Sequence, residues 1–235
     1  MDTVADLPTQ MSPQDLALLR QQLVAAMGPG IGVACTGVDG DQKLLWPVER
    51  ATIRLAVPRR QREFAAGRWA AREAITQIGR APSAIPSAPD RSPIWPEGLV
   101  GSIAHTGRTC VAIAGRRDHV YAMGIDIEED IPLDPDLWES ICTPEELAAV
   151  ASLPRSERGQ WVTRLFCAKE AFYKWQYPQT RCMLDFRDVQ VTQLRDRFVT
   201  HACISTLSPV LKCQHEGRLM IIQGLVLAWL IGAPA

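Results

Sequence analysis

The chain has 235 residues, which at about 150 residues per domain holds one large or two small domains with room for a buried core. With 47% hydrophobic and 22% charged residues it has the composition of a globular protein, which excludes a disordered, collagenous or fibrous chain. Twenty-five Lys+Arg against 26 Asp+Glu leave a formal net charge of −1, so the charge carries no global polyanion-binding signal and any anion site must be a local cluster.

The N-terminal MDTVADLPTQ carries acids and no basic-then-apolar pattern, which argues against a secretory signal and for a cytoplasmic location. Ser12-Pro13 opens the first predicted helix, with a capping hydroxyl, proline at the first helical position and acidic Asp15 in the first turn; Gly28-Pro29-Gly30 stops it. Leu16, Leu19, Leu23 and Met27 share one face of it. A short strand, IGVACTGV, follows. From Pro58, PRRQREFAAGRWAAREAITQIG is made of strong helix formers and Gly79 is placed to end it, giving the most basic helix of the chain. Five prolines between residues 81 and 98 exclude regular helix and sheet interior and mark a semi-rigid loop.

GSIAHT, CVAIAG and VYAMGIDIE then read as strands. Thr143-Pro144-Glu145-Glu146 is a capping box that opens a short helix through Val150. From about Arg158 to Gln176 a longer helix is expected, because Trp161, Leu165, Ala168, Phe172 and Trp175 recur at 3.6-residue periodicity. DVQVTQL and RFVTHACIST read as strands. The C-terminal RLMIIQGLVLAWLIGAPA, interrupted by Gln223 and Gly224, falls short of the roughly 20 apolar residues of a membrane span and reads as two buried strands. Seven cysteines at irregular spacings with no C-x-x-C pair fit neither a disulfide framework nor a zinc site, and are expected to be reduced and mostly buried. The order suggests an α+β fold of two halves, each a helix packed on antiparallel strands, with domains at 1–115 and 116–235.

Three groups of residues can carry chemistry. In GIDIEED, Asp126 and Glu128 stand two apart on a strand, so both carboxylates leave one face about 7 Å apart and can share a hard cation. An isolated pair of this kind is more often simply solvated. In FCAKEAFYKW, Glu170 and Lys174 are i and i+4 on the helix face opposite the apolar stripe, which anchors one face and presents the other. A surface Glu-Lys pair is the ordinary account, but Thr163 and Cys167 on the same face point to partial burial. Three carboxylates and a lysine can hold Mg²⁺ and a phosphate together, because hard oxygen ligands suit Mg²⁺. The third group is basic: Arg59, Arg60, Arg62, Arg68 and Arg72 on one helix, Arg91 in the proline-rich loop, and His105 after a strand. Guanidinium forks suit phosphate, although a charge run on a helix is usually a solvated face.

In order, RR-x-x-EF-x-x-x-R, WPEGLVGSIAH, GIDIE and FCAKEAFYK resemble the 4′-phosphopantetheinyl transferases of the surfactin and enterobactin synthase type, over residues 50 to 190. The length fits the long subclass, which folds both halves in one monomeric polypeptide, and not the short trimeric holo-acyl-carrier-protein synthases. The resemblance implies a pseudo-symmetric α+β fold with its active site at the junction of the halves. It also implies transfer of phosphopantetheine from coenzyme A to a serine hydroxyl of an apo acyl or peptidyl carrier protein, with release of 3′,5′-ADP, in nonribosomal peptide, polyketide or siderophore synthesis. By position, Asp126, Glu128 and Glu170 are then the Mg²⁺ ligands, with Mn²⁺ an alternative ion. Glu170 is the candidate base and Lys174 the pyrophosphate ligand. Arg60, Arg68 and His105 match the 3′-phosphate and ribose grip, and Arg91 the adenine side. Lys169 is expected to face substrate or solvent. Two departures touch nucleotide affinity: Ala104 replaces a common hydroxyl before His105, leaving that contact to backbone N–H or Thr106, and Arg91 stands where lysine is common.

Two rivals remain at this level. A Mg²⁺-dependent nuclease would need a basic surface for a phosphate backbone, which the near-neutral charge argues against. A non-catalytic coenzyme A or nucleotide-binding module would use the arginines and keep the acids as structure.

Overall fold

In a computed structural model of the protein, residues 10–204 and 208–232 are described. The chain divides into two compact units, Met1–His119 and Val120–Ala235.

The first unit contains α1 (Pro13–Met27), β1 (Ile31–Thr36), α2 (Pro47–Ile53), α3 (Pro58–Gln77), β2 (Leu99–His105) and β3 (Cys110–Arg116). Its three strands form an antiparallel sheet in the order β1-β3-β2. Ser12 caps α1 as its sequence predicts, accepting the Asp15 amide, and Gly28 ends the helix at a φ of 80°. Leu19 and Leu23 are the fully buried members of the expected stripe. Helix α3 lays Ala70, Ala71, Ala74 and Ile75 on the core. Alanines there let helix and sheet approach so closely that a Cβ at Gly32 would fall 1.9 Å from the Ala74 carbonyl oxygen. The proline-rich stretch is an irregular loop whose one β-bridge joins Ser87 and Pro93.

The second unit contains β4 (Ala122–Glu129), the single-turn α4 (Trp138–Ile141), α5 (Pro144–Ser152), α6 (Arg155–Thr180), β5 (Val189–Leu194), β6 (Arg197–Ala202), α7 (Pro209–Lys212), β7 (His215–Ile222) and β8 (Leu225–Gly232). The five strands form an antiparallel sheet in the order β4-β8-β7-β6-β5. Leu165, Ala168, Phe172 and Trp175 of the expected apolar stripe are buried, and the Trp175 ring lies 4.4 Å from that of His215 on β7. The architecture is the expected α+β arrangement.

Four details differ from the sequence reading. Helix α6 begins at Arg155 and runs to Thr180, past Pro178, which deprives the Lys174 carbonyl of its i+4 amide only in the last turn. Cys167 and Thr163, opposite the apolar stripe, are buried where only partial burial was expected, and Cys167 Sγ meets the Val226 carbonyl at 3.6 Å on β8. Strand β6 stops at Ala202, and residues 205 and 206 of the expected RFVTHACIST strand lie outside the described residues. Finally, α2, α4 and α7 were not expected. The α2 signal was present: Pro47 at its first position with Glu49 two residues on repeats the pattern of Pro144 and Glu146 that marks α5.

No helix among the described residues is long and apolar enough to cross a membrane, and the C-terminal apolar run forms β7 and β8. Cys110, Cys142 and Cys167 are buried, Cys35 and Cys182 are partly buried, and Cys203 and Cys213 are exposed; all seven are free thiols.

Candidate active site

The acidic motif gains its geometry from the glycine before it. Gly124, Asp126 and Glu128 alternate onto one face of β4, and at Gly124 a Cβ would come within 2.1 Å of the Ala171 carbonyl oxygen and 2.5 Å of the Trp175 amide nitrogen. Strand and helix therefore touch at Gly124, and the next residue on that face, Asp126, meets α6 directly. Asp126 is buried, and its Oδ1 accepts a hydrogen bond from Lys174 Nζ at 2.5 Å. Its Oδ2 is buried with no hydrogen-bond partner.

The electrostatics follow from this crowding. Glu128 is pushed up to about 8, first by burial and then by the charge of Asp126, with Glu170 adding to it and Lys174 opposing. Burial and Asp126 also raise Glu170, again against Lys174. For Lys174, burial works downward, but the charge and hydrogen bond of Asp126 together with Glu170 outweigh it and hold the ammonium charged. The structure thus brings Asp126, Glu128, Glu170 and Lys174 into one electrostatic cluster. Among the described residues no three His, Cys, Asp or Glu side chains close into a metal cage. The carboxylates form an open set, and the cation seated on Asp126 is Lys174. The donors nonetheless suit a hard divalent ion: all are carboxylate oxygens, one is a buried oxygen with no partner, and burial together with the charge of Asp126 makes an unneutralised Glu128 carboxylate costly.

Lys169, beside Glu170 in sequence, does not face substrate or solvent. It is buried, with Nζ 2.7 Å from Glu146 Oε2, 2.7 Å from the Ile141 carbonyl and 2.8 Å from that of Phe186. Glu146 also accepts the amides of Thr143 and Val191, at 2.7 and 2.6 Å, so the pair ties α5, α6 and β5 together. Bordering Glu170 is a cavity of about 230 Å³ lined by Phe172, Tyr173, Met183, Leu184 and Phe186 among others.

In the first unit the arginines of α3 separate by partner. Arg59 pairs with Glu63 at 2.8 Å, Arg62 with Asp39 at 3.0 Å, and Arg72 with the buried Glu49 at 2.9 Å, so these three are committed to carboxylates. Arg60 lies 3.7 Å from the second oxygen of Glu63, which it shares with Arg59, and 2.8 Å from His105 Nε2. A guanidinium only donates, so His105 Nε2 is the acceptor of that contact, and two basic side chains converge there. Arg68 is buried over the Phe64 ring and donates to the Ile85 carbonyl at 2.6 Å and to Ser87 Oγ at 2.9 Å. Burial lowers it to about 10, which leaves it charged at neutral pH. Arg91 is exposed at a left-handed φ of 70°, in a turn closed by its amide on the Ala88 carbonyl. Thr106 Oγ1 accepts the amides of Arg108 and Thr109 and shapes the β2–β3 turn. Glu49 and Glu146, which sequence reasoning did not single out as partners of these cations, were signalled by their shared place after a helix-opening proline.

The comparisons with known proteins fall on the same residues. Residues 48–115 match the family model described as 4′-phosphopantetheinyl transferase N-terminal domain, and residues 122–228 match that of the 4′-phosphopantetheinyl transferase superfamily. The chain is 36% identical over 195 residues to 4′-phosphopantetheinyl transferase PptT of Mycobacterium tuberculosis, covering 79% of this chain and 85% of that protein. It is 33% identical over 223 residues to 4′-phosphopantetheinyl transferase Svp of Streptomyces mobaraensis, covering 91% of each. It is 30% identical over 187 residues to enterobactin synthase component D of Escherichia coli, covering 75% of this chain and 87% of that protein. The chain therefore belongs to the 4′-phosphopantetheinyl transferase superfamily, as an enzyme of its long type.

Proposed function

We propose that this enzyme moves the phosphopantetheine group of coenzyme A to a serine hydroxyl of an apo acyl or peptidyl carrier protein, Mg²⁺-dependently, with release of 3′,5′-ADP. The observation that carries the reading is the crowded acid cluster around the Asp126–Lys174 pair, which has a buried carboxylate oxygen to offer and an ammonium beside it. Asp126, Glu128 and Glu170 would hold Mg²⁺, or Mn²⁺ in its place; bound there, the ion would offset the charge of the pyrophosphate.

The chain's own residues supply the rest. Glu170, whose proton affinity is raised by burial and by Asp126, is suited to take the serine proton. The freed oxygen attacks the β-phosphorus, a new P–O bond forms to serine, and the bond to the bridging oxygen breaks so that 3′,5′-ADP leaves. Lys174 stays charged and stabilises the pyrophosphate oxygens on which negative charge develops. Arg60, His105 and the buried Arg68 hold the 3′-phosphate and ribose, and Arg91 the adenine side. The division of labour is nucleotide binding by residues 1–115 and metal binding and transfer by residues 116–235. The name of one relative, enterobactin synthase component D, favours carriers of siderophore and nonribosomal peptide synthesis, and polyketide carriers offer the same serine hydroxyl. The enzyme is read as a cytoplasmic monomer that acts on protein carriers and not on nucleic acid.

The test is to weigh an apo peptidyl carrier protein by intact-protein mass spectrometry after incubation with the enzyme, coenzyme A and Mg²⁺. A gain of one phosphopantetheine that EDTA prevents is expected. No gain with several acyl and peptidyl carriers, while calorimetry still detects coenzyme A binding, would instead favour a binding module.

A further inference from the structure

Ile85, where the proline-rich loop enters the core, is held at both of its backbone polar groups. Its N–H donates to Glu49 Oε1 at 2.8 Å, and its carbonyl accepts from Arg68 Nε at 2.6 Å. Glu49 is fully buried on α2, and it also accepts Arg72 Nη1 at 2.9 Å on each oxygen and the Trp46 amide at 2.9 Å. Arg72 passes the connection to the Leu44 carbonyl at 2.9 Å. Arg68 extends it along the loop to Ser87 Oγ, four residues before Arg91.

Arg68 and Arg72 are buried cations one turn apart on α3, so each opposes the other's charge. Of the charges that bear on Arg68, Glu49 is the one carboxylate; Arg60 and Arg72 both work against it. Among the described residues no carboxylate pairs with Arg68 directly, so its guanidinium is fixed by the carbonyl of Ile85, the residue whose amide Glu49 grips, and by the hydroxyl of Ser87 two residues further along the loop. A carboxylate needed only to neutralise Arg72 would not also have to grip the amide of Ile85.

We infer that Glu49 is a positioning residue for substrate binding: through Ile85 and Arg72 it sets the direction of Arg68 and the start of the loop that carries Arg91, and so the grip on the 3′-phosphate of coenzyme A. This rests on the reading of coenzyme A as the substrate. It assigns Glu49 no contact with the nucleotide.

The test compares coenzyme A with 3′-dephospho-coenzyme A, measuring kcat and KM for each. The wild-type enzyme should prefer coenzyme A through a lower KM. Glu49→Leu should raise KM for coenzyme A about tenfold, the scale of a lost hydrogen bond to a charged group, while KM for the dephospho form and kcat change little. Glu49→Gln, which keeps an acceptor for the Ile85 amide, should restore part of the preference. Because Glu49→Leu leaves Arg72 buried and unpaired, Glu49→Leu/Arg72→Met removes both charges and keeps the measurement open if the single variant does not fold. The same loss of preference is expected of it. A folded Glu49→Leu or double variant with the wild-type preference would overturn the inference, as would equal losses with both nucleotides that track thermal stability. If the wild-type enzyme itself does not distinguish the two nucleotides, the phosphate grip fails and the inference with it, whereas wild-type discrimination that the variants retain refutes the role of Glu49 alone.

Discussion

Glu128 carries a direct consequence of carboxylates crowded at the end of a buried strand. Its proton affinity is raised to about 8 from an ordinary 4.5, so the neutral form is favoured in the folded chain. A raised folded-state pKa contributes stability that is complete below the unfolded value and is lost as pH climbs through the folded one. Without metal, the wild-type protein should therefore lose stability relative to Glu128→Gln between pH 4.5 and about 8. Divalent ions need the carboxylate, so Mg²⁺ should bind more tightly with rising pH over the upper part of that window and displace a proton as it binds. Denaturant unfolding of both proteins across that range, with calorimetry in two buffers of different ionisation enthalpy, reads both effects. Parallel stability profiles and proton-free Mg²⁺ binding would show that Glu128 is already ionised. The role of Lys169 was not legible at this scale. Its neighbour Glu170 invites a site reading, and only the fold brings Glu146, 23 residues earlier, against its ammonium.

For the elements, the close seating of α6 on β4 matters most, because it sets where Asp126 meets Lys174. A methyl group at Gly124 would fall inside van der Waals contact with the backbone of α6 at both Ala171 and Trp175. Gly124→Ala should thus push helix and strand apart, lowering stability by about 1–3 kcal/mol and activity further, since the Asp126–Lys174 hydrogen bond lengthens with the gap. Thermal unfolding beside a turnover assay checks this; a variant with wild-type stability and activity would mean the seating is looser than it looks. The same elements show how far punctuation in a sequence reaches. Ser12, Thr143 and the glycines and prolines gave α1, α3 and α5 within a residue or two, because caps are local chemistry. Helix α2 escaped because Trp46 is not a capping residue type, although the proline and glutamate after it repeat the α5 pattern. Helix α6 outran its expected ends because burial on both faces blurs the amphipathic signal that marks a surface helix.

Across the whole molecule, each unit places a long helix against an antiparallel sheet through a glycine on its strand, Gly32 or Gly124, and each locks that helix with a buried cation on a glutamate, Arg72 on Glu49 or Lys169 on Glu146. Both glutamates occupy the third position of a short helix that opens with proline. The alternation of apolar strands and the two long helices made the α+β class legible, since those are periodic patterns read locally. The locks were not, because their partners stand 23 residues apart in each unit and no periodicity relates them. For the same reason Arg72 looked like one more cation on a basic helix. Its carboxylate partner is buried with it, which sets it apart from Arg60, whose guanidinium lies beside His105 at the surface end of the same helix.

The central claim is that the acid cluster on β4 and α6 performs the transfer while separate residues hold the nucleotide. The most direct measurement is the carrier-mass assay on Asp126→Ala, run beside calorimetry of coenzyme A binding. The account predicts a loss of at least about a hundredfold in phosphopantetheine transfer, with coenzyme A binding weakened but still measurable. Transfer at the wild-type rate by Asp126→Ala would contradict it and leave the acids as structure.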